Sequence, residues 1–420
     1  MTRLHEYQGK QLLKDAGVSV PRGAVAATAE EARDIAVELG GQVVVKAQIW
    51  ATGRSKAGGI LFASNPAQAS AAAERLLGAS IKGHGVEKVL VEEQLDVAQE
   101  FYAGIVIDDS YKVRSPVVLF STEGGVDIEE VASTAPDRIA RHVVDVRQGF
   151  HVYDAYNLAL SLGLSGDVLI RLGQVLQGLY KVFREYDARS AEANPIVLTD
   201  DGVVYAADCR ISIDDASVMR HPELGIGFPR ESDRPPTQLE RLAWQIEEDD
   251  YRGISFFAQL VPDVKEGGYI GYHAISGGAA LLAADTLSRH GLKLADFAET
   301  SGNPTASKVY RCAKIILSQP GIVGYCLIGA VIANQDQRHH AHGVVKALRE
   351  DLQSRPGFPV VVLLAGNQEE EALSIIRDGL GDLPIRLELY GREHVHRLDM
   401  VAGRMKAMVE DYRASRRSPR

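Results

Sequence analysis

Apolar residues in the first half of the chain follow two periods, one typical of helices and one typical of strands. Helical spacing recurs at 4–16, 29–39, 66–78, 153–162 and 168–186. Short β-branched or alternating runs predict strands at 42–46, 60–64, 88–95, 100–108 and 115–121. Two more apolar runs, 192–199 and 203–209, flank a turn at 200–202 and predict a hairpin.

The second half alternates regularly between apolar strands and amphipathic helices. Strands are predicted at 269–275, 324–332, 358–366 and 386–390. Helices are predicted at 279–290, 306–318, 340–353 and 369–378. Alternation at this spacing is typical of a parallel, doubly wound sheet with helices on both faces.

A stretch rich in proline, glycine and charge, within 219–250, separates the two patterns and reads as a surface linker that leads into a helix. We therefore predict one domain over 1–235 and a second over 246–400. The remainder, 401–420, ends in DYRASRRSPR and is predicted to be a polar, basic, frayed tail.

Composition narrows the class of protein. The chain has 420 residues, 45% of them hydrophobic, which is enough for two or more cores. A formal net charge of −10 argues against nucleic acid as a partner. Three cysteines without CxxC spacing indicate a reducing compartment. The charged N-terminus and the absence of a run of about 18 apolar residues predict no secretory leader and no membrane span. We therefore expect a cytoplasmic protein, with an organelle matrix as the alternative.

A basic, glycine-rich segment follows the strand that ends at Lys46. It contains Gly53, Arg54, Ser55 and Lys56. Glycines let backbone amides approach an anion, and basic side chains offset its charge. The spacing differs from the common phosphate loop, GxxxxGK[ST], so a basic surface turn is the alternative interpretation.

Polar residues on the predicted hairpin are typical of a magnesium site. Alternation places Glu192 and Asn194 on one face of the first strand, and Asp208 lies on the second. Carboxylate and amide oxygens, completed by phosphate and water, suit Mg²⁺. A solvated hairpin face is the alternative.

Glycine-rich turns follow predicted strands in the second half, at 276–279, 301–305 and 333–335. Each can present helix N-terminal amides to a carboxylate or phosphate, at the sheet edge where ligands bind in such folds. Ordinary helix capping explains any one of them. His339, His340 and His342 begin a helix, and we interpret them as solvated side chains because no further metal ligand accompanies them.

These motifs together resemble the family of succinyl-CoA synthetase beta subunits, from residue 4 to at least Gly366. The resemblance is carried by LHEYQ, VVVKAQ, GRSKAGG, FSTEGGVDIEEVA, AEANPIVLT and YAADCR. Beyond residue 270, SGGAALLAADT, SGNPT, AKIIL and VIAN are similar to ATP-citrate lyase and citryl-CoA synthetase. The resemblance implies an α/β fold in which an ATP-grasp domain precedes a flavodoxin-like, doubly wound parallel-sheet domain.

The resemblance also implies residue roles. Those implied to contact ATP are Lys46, Gly53, Arg54, Ser55, Glu92, Leu95 and Glu100. Lys46 would contact the phosphates, residues 53–55 would cover them, and the last three would lie at the adenine and ribose end. Asn194 and Asp208 would hold Mg²⁺, and Glu192 would orient a phosphorylated histidine. Ser55 replaces a glycine of the family, which implies slower or altered loop closure.

The activity implied is that of an ADP-forming acid–CoA ligase. ATP and Mg²⁺ phosphorylate a histidine of an alpha-type partner subunit, the phosphohistidine activates a small carboxylic acid as an acyl phosphate, and CoA displaces phosphate. The histidine and most of the CoA site belong to the partner. This chain would therefore be incomplete alone.

Departures from the family concern the acid. Its substrate-binding positions correspond here to Ser276, Ala333, Asn334 and Gln335, and an expected Arg and Glu are replaced by Leu363 and Ala365. Loss of a fixed arginine removes a bidentate carboxylate clamp. We therefore expect a di- or hydroxycarboxylic acid other than succinate. Two alternatives are an ATP-grasp carboxylate–amine ligase and a non-catalytic, nucleotide-binding homologue.

Overall fold

The chain divides into two compact units, Met1–Pro235 and Pro236–Arg420, called unit 1 and unit 2 below. The structure, a computed structural model, describes residues 2–50, 53–126, 128–227, 234, 236–261, 268–330 and 332–417. No helix in these described parts is both long and apolar enough to cross a membrane.

Unit 1 contains two principal sheets. Its described strands are β1 (Thr2–Arg3), β2 (Gly23–Ala26), β3 (Val43–Ala47), β4 (Ile60–Ala63), β5 (Ser80–Ile81), β6 (His84–Gly85), β7 (Val89–Glu93), β8 (Val97–Asp108), β9 (Ser115–Ser121), β10 (Ile139–Val143), β11 (Ala188–Thr199), β12 (Val204–Ala206) and β13 (Cys209–Ile213). The larger sheet has the order β1-β13-β11-β8-β9-β10, and β12 pairs with β11. The smaller sheet has the order β2-β7-β3-β4, and β5 and β6 pair with each other.

Helices cover these sheets. Those described in unit 1 are α1 (Glu6–Asp15), α2 (Ala29–Glu38), α3 (Pro66–Leu76), α4 (Ile128–Thr134), α5 (Val152–Ser161) and α6 (Gly166–Glu185), with short 3-10 helices at Pro136–Arg138, Asp215–Arg220 and Pro222–Leu224. The long helix α6 buries Leu172, Val175, Leu176 and Leu179, spaced three and four residues apart, in the core beneath the larger sheet.

Unit 2 is a doubly wound sheet. Its described strands are β14 (Phe256–Gln259), β15 (Tyr269–Ile275), β16 (Lys293–Leu294), β17 (Asp296–Glu299), β18 (Ile322–Gly329), β19 (Ala333–Asp336), β20 (Pro359–Leu363), β21 (Gly366–Asn367) and β22 (Arg386–Tyr390). The parallel strands follow the order β17-β15-β18-β20-β22, which is the flavodoxin-like order. Strand β14 adds an antiparallel edge to β17, which the alternating pattern did not predict.

The helices of unit 2 include one in a segment that was predicted to be a frayed tail. They are α7 (Gln238–Asp249), α8 (Gly277–Arg289), α9 (Ala306–Ser318), α10 (Arg338–Leu352), α11 (Glu369–Leu380) and α12 (Leu398–Arg417), with a 3-10 helix at Arg392–His394. The predicted tail at 401–420 is helical as far as Arg417. Val401, Met405, Met408 and Tyr412 recur at helical spacing and are buried, so α12 is held by packing despite its many charges.

Candidate functional site

Lys46 lies in a buried charge cluster in unit 1. Its ammonium is 2.8 Å from Glu6 Oε1 and 2.9 Å from Glu92 Oε2, and it donates to the Ala207 carbonyl at 2.8 Å. An ammonium has three N–H donors, and all three are engaged here. A phosphate that contacts Lys46 therefore has to replace one of these acceptors.

Helix α1 supplies two members of this cluster. Glu6 and Lys10, one turn apart, lie 2.9 Å from each other, with 1% and 5% of their side chains exposed. Lys10 is also 2.6 Å from Glu92 and donates to the Ala207 carbonyl at 2.7 Å. Neither residue was predicted as part of the site. The available signal was their position on the apolar face of the predicted helix, where Leu13 is also buried.

Arg54 joins the glycine-rich segment to the hairpin. Its Nη2 lies 2.7 Å from Glu6 Oε2 and 2.8 Å from Asp208 Oδ2, and its Nη1 donates to the Ala47 carbonyl at 3.1 Å. The cluster thus combines three cations with three carboxylates: Lys10, Lys46, Arg54, Glu6, Glu92 and Asp208. Its formal charge is balanced, which buried charges require.

The turn that carries Arg54 depends on glycine at two positions. Gly53 and Gly58 have φ of +65° and +77°, where a side chain is strained. Ser55 is not among the residues with positive φ. A serine at this position therefore fits the turn without backbone strain.

The hairpin brings the predicted metal ligands together. The Asn194 N–H donates to the Asp208 carbonyl at 3.1 Å, and Asn194 Nδ2 donates to Glu192 Oε1 at 3.3 Å. Asp208 lies in the break between β12 and β13 rather than inside one continuous strand as predicted. About 26% of its side chain is exposed, so a ligand can reach the carboxylate that Arg54 contacts.

The loop after β9 packs onto Asn194. Gly125 N–H donates to Asn194 Oδ1 at 2.9 Å, and Asn194 Nδ2 donates to the Val126 carbonyl at 3.1 Å. A Cβ on Gly124 would lie 2.4 Å from the Phe101 amide nitrogen, so no larger residue fits there. The paired glycines of the FSTEGG motif thus allow this loop to approach the hairpin.

Burial and neighbouring charges together shift the pKa values of the carboxylates. Burial raises the pKa of Asp208, and the Glu6 carboxylate adds to this, while Arg54 opposes it. Burial likewise raises the pKa of Glu192, with Glu129 adding to the effect. Glu6 behaves differently: burial disfavours its charge, but Lys10, Lys46 and Arg54 hold its pKa well below the usual range. A further cation would therefore stabilise the charged form of Asp208.

The donor set fits Mg²⁺. Asp208 offers a carboxylate and Asn194 a carboxamide oxygen, their backbones are hydrogen-bonded to each other, and a guanidinium cation already contacts both Asp208 carboxylate oxygens. Among the described residues, no three His, Cys, Asp or Glu side chains form a metal cage. An ion here would need further oxygens from a ligand or water, which is the usual manner of binding Mg²⁺.

The three residues expected at the adenine and ribose end lie in different surroundings. The Glu92 carboxylate is turned toward the lysines of the cluster and is only 2% exposed. Leu95 and Glu100 are half-buried. The Glu100 carboxylate lies against Gly125, where an added Cβ would be 2.4 Å from it. Glu92 thus meets cations in the cluster, whereas Glu100 belongs with the loop at the hairpin.

Unit 2 has a cavity of about 560 Å³ at the carboxyl ends of its parallel strands. The lining residues are Gly302, Asn303, Asn334, Gln335, Asp336, His339 and Asn367. Of the predicted acid-binding residues, Asn334 and Gln335 line it, whereas Ser276 and Ala333 do not. Ser276 precedes α8 with φ of +87°, which is uncommon for a non-glycine residue and typical of functional turns.

The expectation that the three histidines at the start of α10 are solvated is wrong for one of them. His340 is fully buried, and its Nε2 lies 2.9 Å from the Thr300 carbonyl, while His273 lies 2.6 Å from the Thr300 hydroxyl. Burial lowers the pKa of His340 to about 4 and that of His273 to about 3. Both are therefore neutral structural residues. His339 alone of the three lines the cavity.

Two protein-family models match the chain. One, described as an ATP-grasp domain, matches residues 3–198. The other, described as ATP citrate lyase citrate-binding, matches residues 260–406. Each model falls within one of the two units.

Sequence relatives cover most of the chain. The beta subunit of a GDP-forming succinate–CoA ligase from Thermus thermophilus is 40% identical over 374 residues, which are 89% of this chain and 93% of the relative. An ADP-forming counterpart from Methanothermobacter thermautotrophicus is 36% identical over 379 residues, 90% and 93% of the two chains. A solved ATP citrate lyase from Methanothrix soehngenii, in complex with citrate and coenzyme A, has a similar fold, with a TM-score of 0.77 at 21% identity, covering 96% of this chain and 99% of that one.

Proposed function

This chain belongs to the family of succinate–CoA ligase beta subunits, and we propose that it is the nucleotide-binding subunit of an ADP-forming acid–CoA ligase. Its partner would be an alpha-type subunit that carries the phosphorylated histidine and most of the CoA site. ATP, Mg²⁺ and CoA would be the cofactors. The acid would be a di- or hydroxycarboxylate.

One observation supports the nucleotide site above all others. The backbone N–H of Asn194 donates to the backbone carbonyl of Asp208 at 3.1 Å, and the Asp208 carboxylate is held by Arg54 of the glycine-rich segment. Carboxamide and carboxylate oxygens beside a basic loop are what a magnesium–nucleotide complex needs. A solvated hairpin face would not be tied to a buried charge cluster.

The cations of the cluster would bind the phosphates. Lys46 would exchange a carboxylate or carbonyl acceptor for a phosphate oxygen, and residues 53–55 would cover the phosphates. When bound at Asn194 and Asp208, Mg²⁺ would offset charge on the phosphate oxygens. Arg54, which contacts both Asp208 carboxylate oxygens, would be able to turn to the nucleotide phosphates if a metal ion took its place there. Glu92, Leu95 and Glu100 would complete the nucleotide site.

Glu192 would act on the incoming histidine. It lies on the same strand face as Asn194, 3.3 Å from its amide nitrogen, and keeps part of its surface exposed. A carboxylate beside an imidazole accepts its N–H and fixes which nitrogen is free to take the phosphoryl group. Glu192 would thus position the partner's histidine for phosphorylation.

Replacing Glu192 with alanine is expected to slow phosphotransfer by about 100-fold, because the histidine loses its orienting acceptor. The KM for ATP should stay unchanged, since Glu192 would contact the histidine and not the nucleotide. Burial raises the pKa of Glu192, so the wild-type rate should fall on acidification at a higher pH than an ordinary glutamate would dictate. Glu192→Gln should lack this acidic limb.

Glu130→Ala serves as the control for Glu192, since Glu130 is an exposed residue on α4. Its rate and pH profile should match those of the wild type. Phosphotransfer by Glu192→Ala at the wild-type rate would remove Glu192 from this role.

In unit 2, the acid would bind at the carboxyl edge of the parallel sheet, with Ser276, Ala333, Asn334 and Gln335 as the candidate contacts. The direct test of the whole proposal is to co-purify the chain with its alpha-type partner. Release of ADP or GDP is then measured with CoA and a panel of acids. Nucleotide release that requires both CoA and an acid supports the ligase, whereas acid-dependent release that requires an amine instead supports an amide ligase.

We also propose a cytoplasmic location. Cys209, Cys312 and Cys326 are free and buried, as thiols in a reducing compartment are. Tagging the full-length chain at its carboxyl end and fractionating cells would test this. Recovery in the membrane or secreted fraction would contradict it.

A further inference from the structure

We propose that Arg252 is a positioning residue that makes the unit 2 cavity a donor-lined pocket for a hydroxylated dicarboxylic acid. This rests on the proposed acid–CoA ligase function and names the acid more closely. At this edge of the sheet, Leu363 at the end of β20 and Ala365 just beyond it are apolar and 0% and 1% exposed, so they offer no charge. The charge that recognises a carboxylate therefore has to come from elsewhere.

Arg252 contacts two lining residues of the cavity. Its Nε donates to the Asn303 carbonyl at 2.8 Å, and its Nη2 lies 3.3 Å from Asn303 Oδ1 and 3.0 Å from His339 Nε2. Because a guanidinium only donates hydrogen bonds, the atoms that face it must be acceptors. The amide oxygen of Asn303 and the Nε2 lone pair of His339 are both engaged by Arg252.

This arrangement leaves donors for a ligand. With Nε2 accepting from Arg252, the N–H that His339 can offer is the one on Nδ1, and the Asn303 amide has its Nδ2 protons available. Gln335 likewise has its amide oxygen engaged, since Oε1 accepts from the Asn303 N–H at 3.0 Å. Its buried Nε2 has no hydrogen-bond partner within the described part of the chain. Three lining side chains thus offer N–H groups, which suit carboxylate oxygens.

The charge of Arg252 is also available. Its side chain forms no ion pair among the described residues. Arg338 differs, because its guanidinium lies 2.8 Å from Asp336 and 3.2 Å from Glu371. Asp336 is the carboxylate of the cavity lining, and Arg338 holds its pKa at about 2. Arg252 therefore gives the pocket a cation that forms no ion pair with a carboxylate of the described residues.

The remaining lining residues favour a hydroxyl group on the acid. Asn334 and Asn367 are carboxamides, which offer both donors and acceptors. An aliphatic dicarboxylate would leave their acceptors without a partner, whereas a hydroxyl satisfies a donor and an acceptor together. The volume of about 560 Å³ lies within the range of small-molecule pockets.

The test uses the full chain co-purified with its partner, and L-malate, succinate and citrate as probes. Arg252→Met is expected to raise the KM for malate by roughly 10- to 100-fold, which is the loss of affinity expected when hydrogen bonds to a charged group are removed. Arg252→Lys, which keeps the charge, should recover part of this loss. Gln335→Glu places an anion of equal size in the pocket and should raise the KM at least as much. The wild type should prefer malate to succinate by at least about tenfold in kcat/KM.

The controls separate this inference from the proposed function. ATP-dependent phosphorylation of the partner's histidine needs no acid, so it should be unchanged in every variant. Arg289→Met, at an exposed ion pair on α8, should leave the KM for malate unaltered. A wild type that phosphorylates no histidine would overturn the proposed function, and calorimetric binding of malate would then test Arg252 alone. An unchanged KM or Kd for malate in Arg252→Met and Gln335→Glu would overturn the role of Arg252, and a preference for succinate would overturn the hydroxylated class.

Discussion

Replacing Asp208 with alanine is expected to reduce nucleotide-dependent phosphorylation of the partner's histidine by roughly a thousandfold, the cost of losing several kcal/mol of metal-borne charge stabilisation. Asp208 supplies the one ionisable oxygen donor of the predicted Asn194–Asp208 pair, and Asn194 contributes only a neutral oxygen. Incorporation of labelled phosphate into the purified assembly, at concentrations of ATP and Mg²⁺ that saturate the wild type, would measure the effect. Raising Mg²⁺ above that concentration should restore part of the rate of the variant, because its metal affinity is weakened.

A control for Asp208 lies on the same hairpin. Asp200 is exposed in the turn between β11 and β12, so Asp200→Ala should phosphorylate at the wild-type rate. Gel filtration should show both variants still assembled with the partner. If Asp208→Ala were phosphorylated within about threefold of the wild-type rate, Asp208 would not be a metal ligand.

Replacing Glu6 with alanine is expected to lower the free energy of unfolding of unit 1 by about 3–5 kcal/mol, because it removes the carboxylate that three buried cations share and leaves the cluster with excess positive charge. Glu6 contacts Lys10 at 2.9 Å, Lys46 at 2.8 Å and Arg54 at 2.7 Å, and only 1% of its side chain is exposed. Urea denaturation followed by the fluorescence of Trp50, whose ring stacks 5.0 Å from His5, would report on this region.

The same residue gives unit 1 a dependence on pH. The cations hold the folded-state pKa of Glu6 well below that of the unfolded chain, about 4.3. Its contribution to stability is therefore full above that value and is lost as the pH falls below it. Glu6→Gln should weaken this acid dependence.

Glu74 provides the control for both measurements, since it is exposed on α3. Glu74→Ala should unfold at the wild-type urea concentration and keep the wild-type pH dependence. An unchanged midpoint in Glu6→Ala would mean that the cluster contributes nothing to stability.

Much of the fold was predictable because its elements carry strong periodic patterns. The alternating strands and helices of unit 2 predicted its parallel sheet, and the ATP-grasp fold of unit 1 is confirmed by the family match. Helix α12 was missed because its charged residues dominate the composition while Met405 and Met408 supply the packing. The antiparallel strand β14 was missed because four residues beside a polar linker have too short a pattern.

The site was predicted in part. The adjacency of Asn194 and Asp208 followed from pairing within a hairpin, which is local in sequence. Glu6 and Lys10 were missed because their contacts are with residues far along the chain, and nothing in the sequence around them indicates which residues those are. Arg252 was missed for a similar reason: its meaning depends on which atoms of Asn303 and His339 face it, and this requires coordinates.

The residues of the charge cluster lie far apart in the sequence. The Lys10 ammonium donates to the carbonyl of Ala207, 197 residues later. At a synthesis rate of about 5–20 residues per second, the ribosome would add Ala207 roughly 10–40 s after helix α1 has been synthesised. Until then Glu6 and Lys10 remain hydrated on the nascent chain, and closing so large a loop is intrinsically slow. Nucleotide affinity would consequently arise in one late step of folding instead of accumulating gradually as the polypeptide grows.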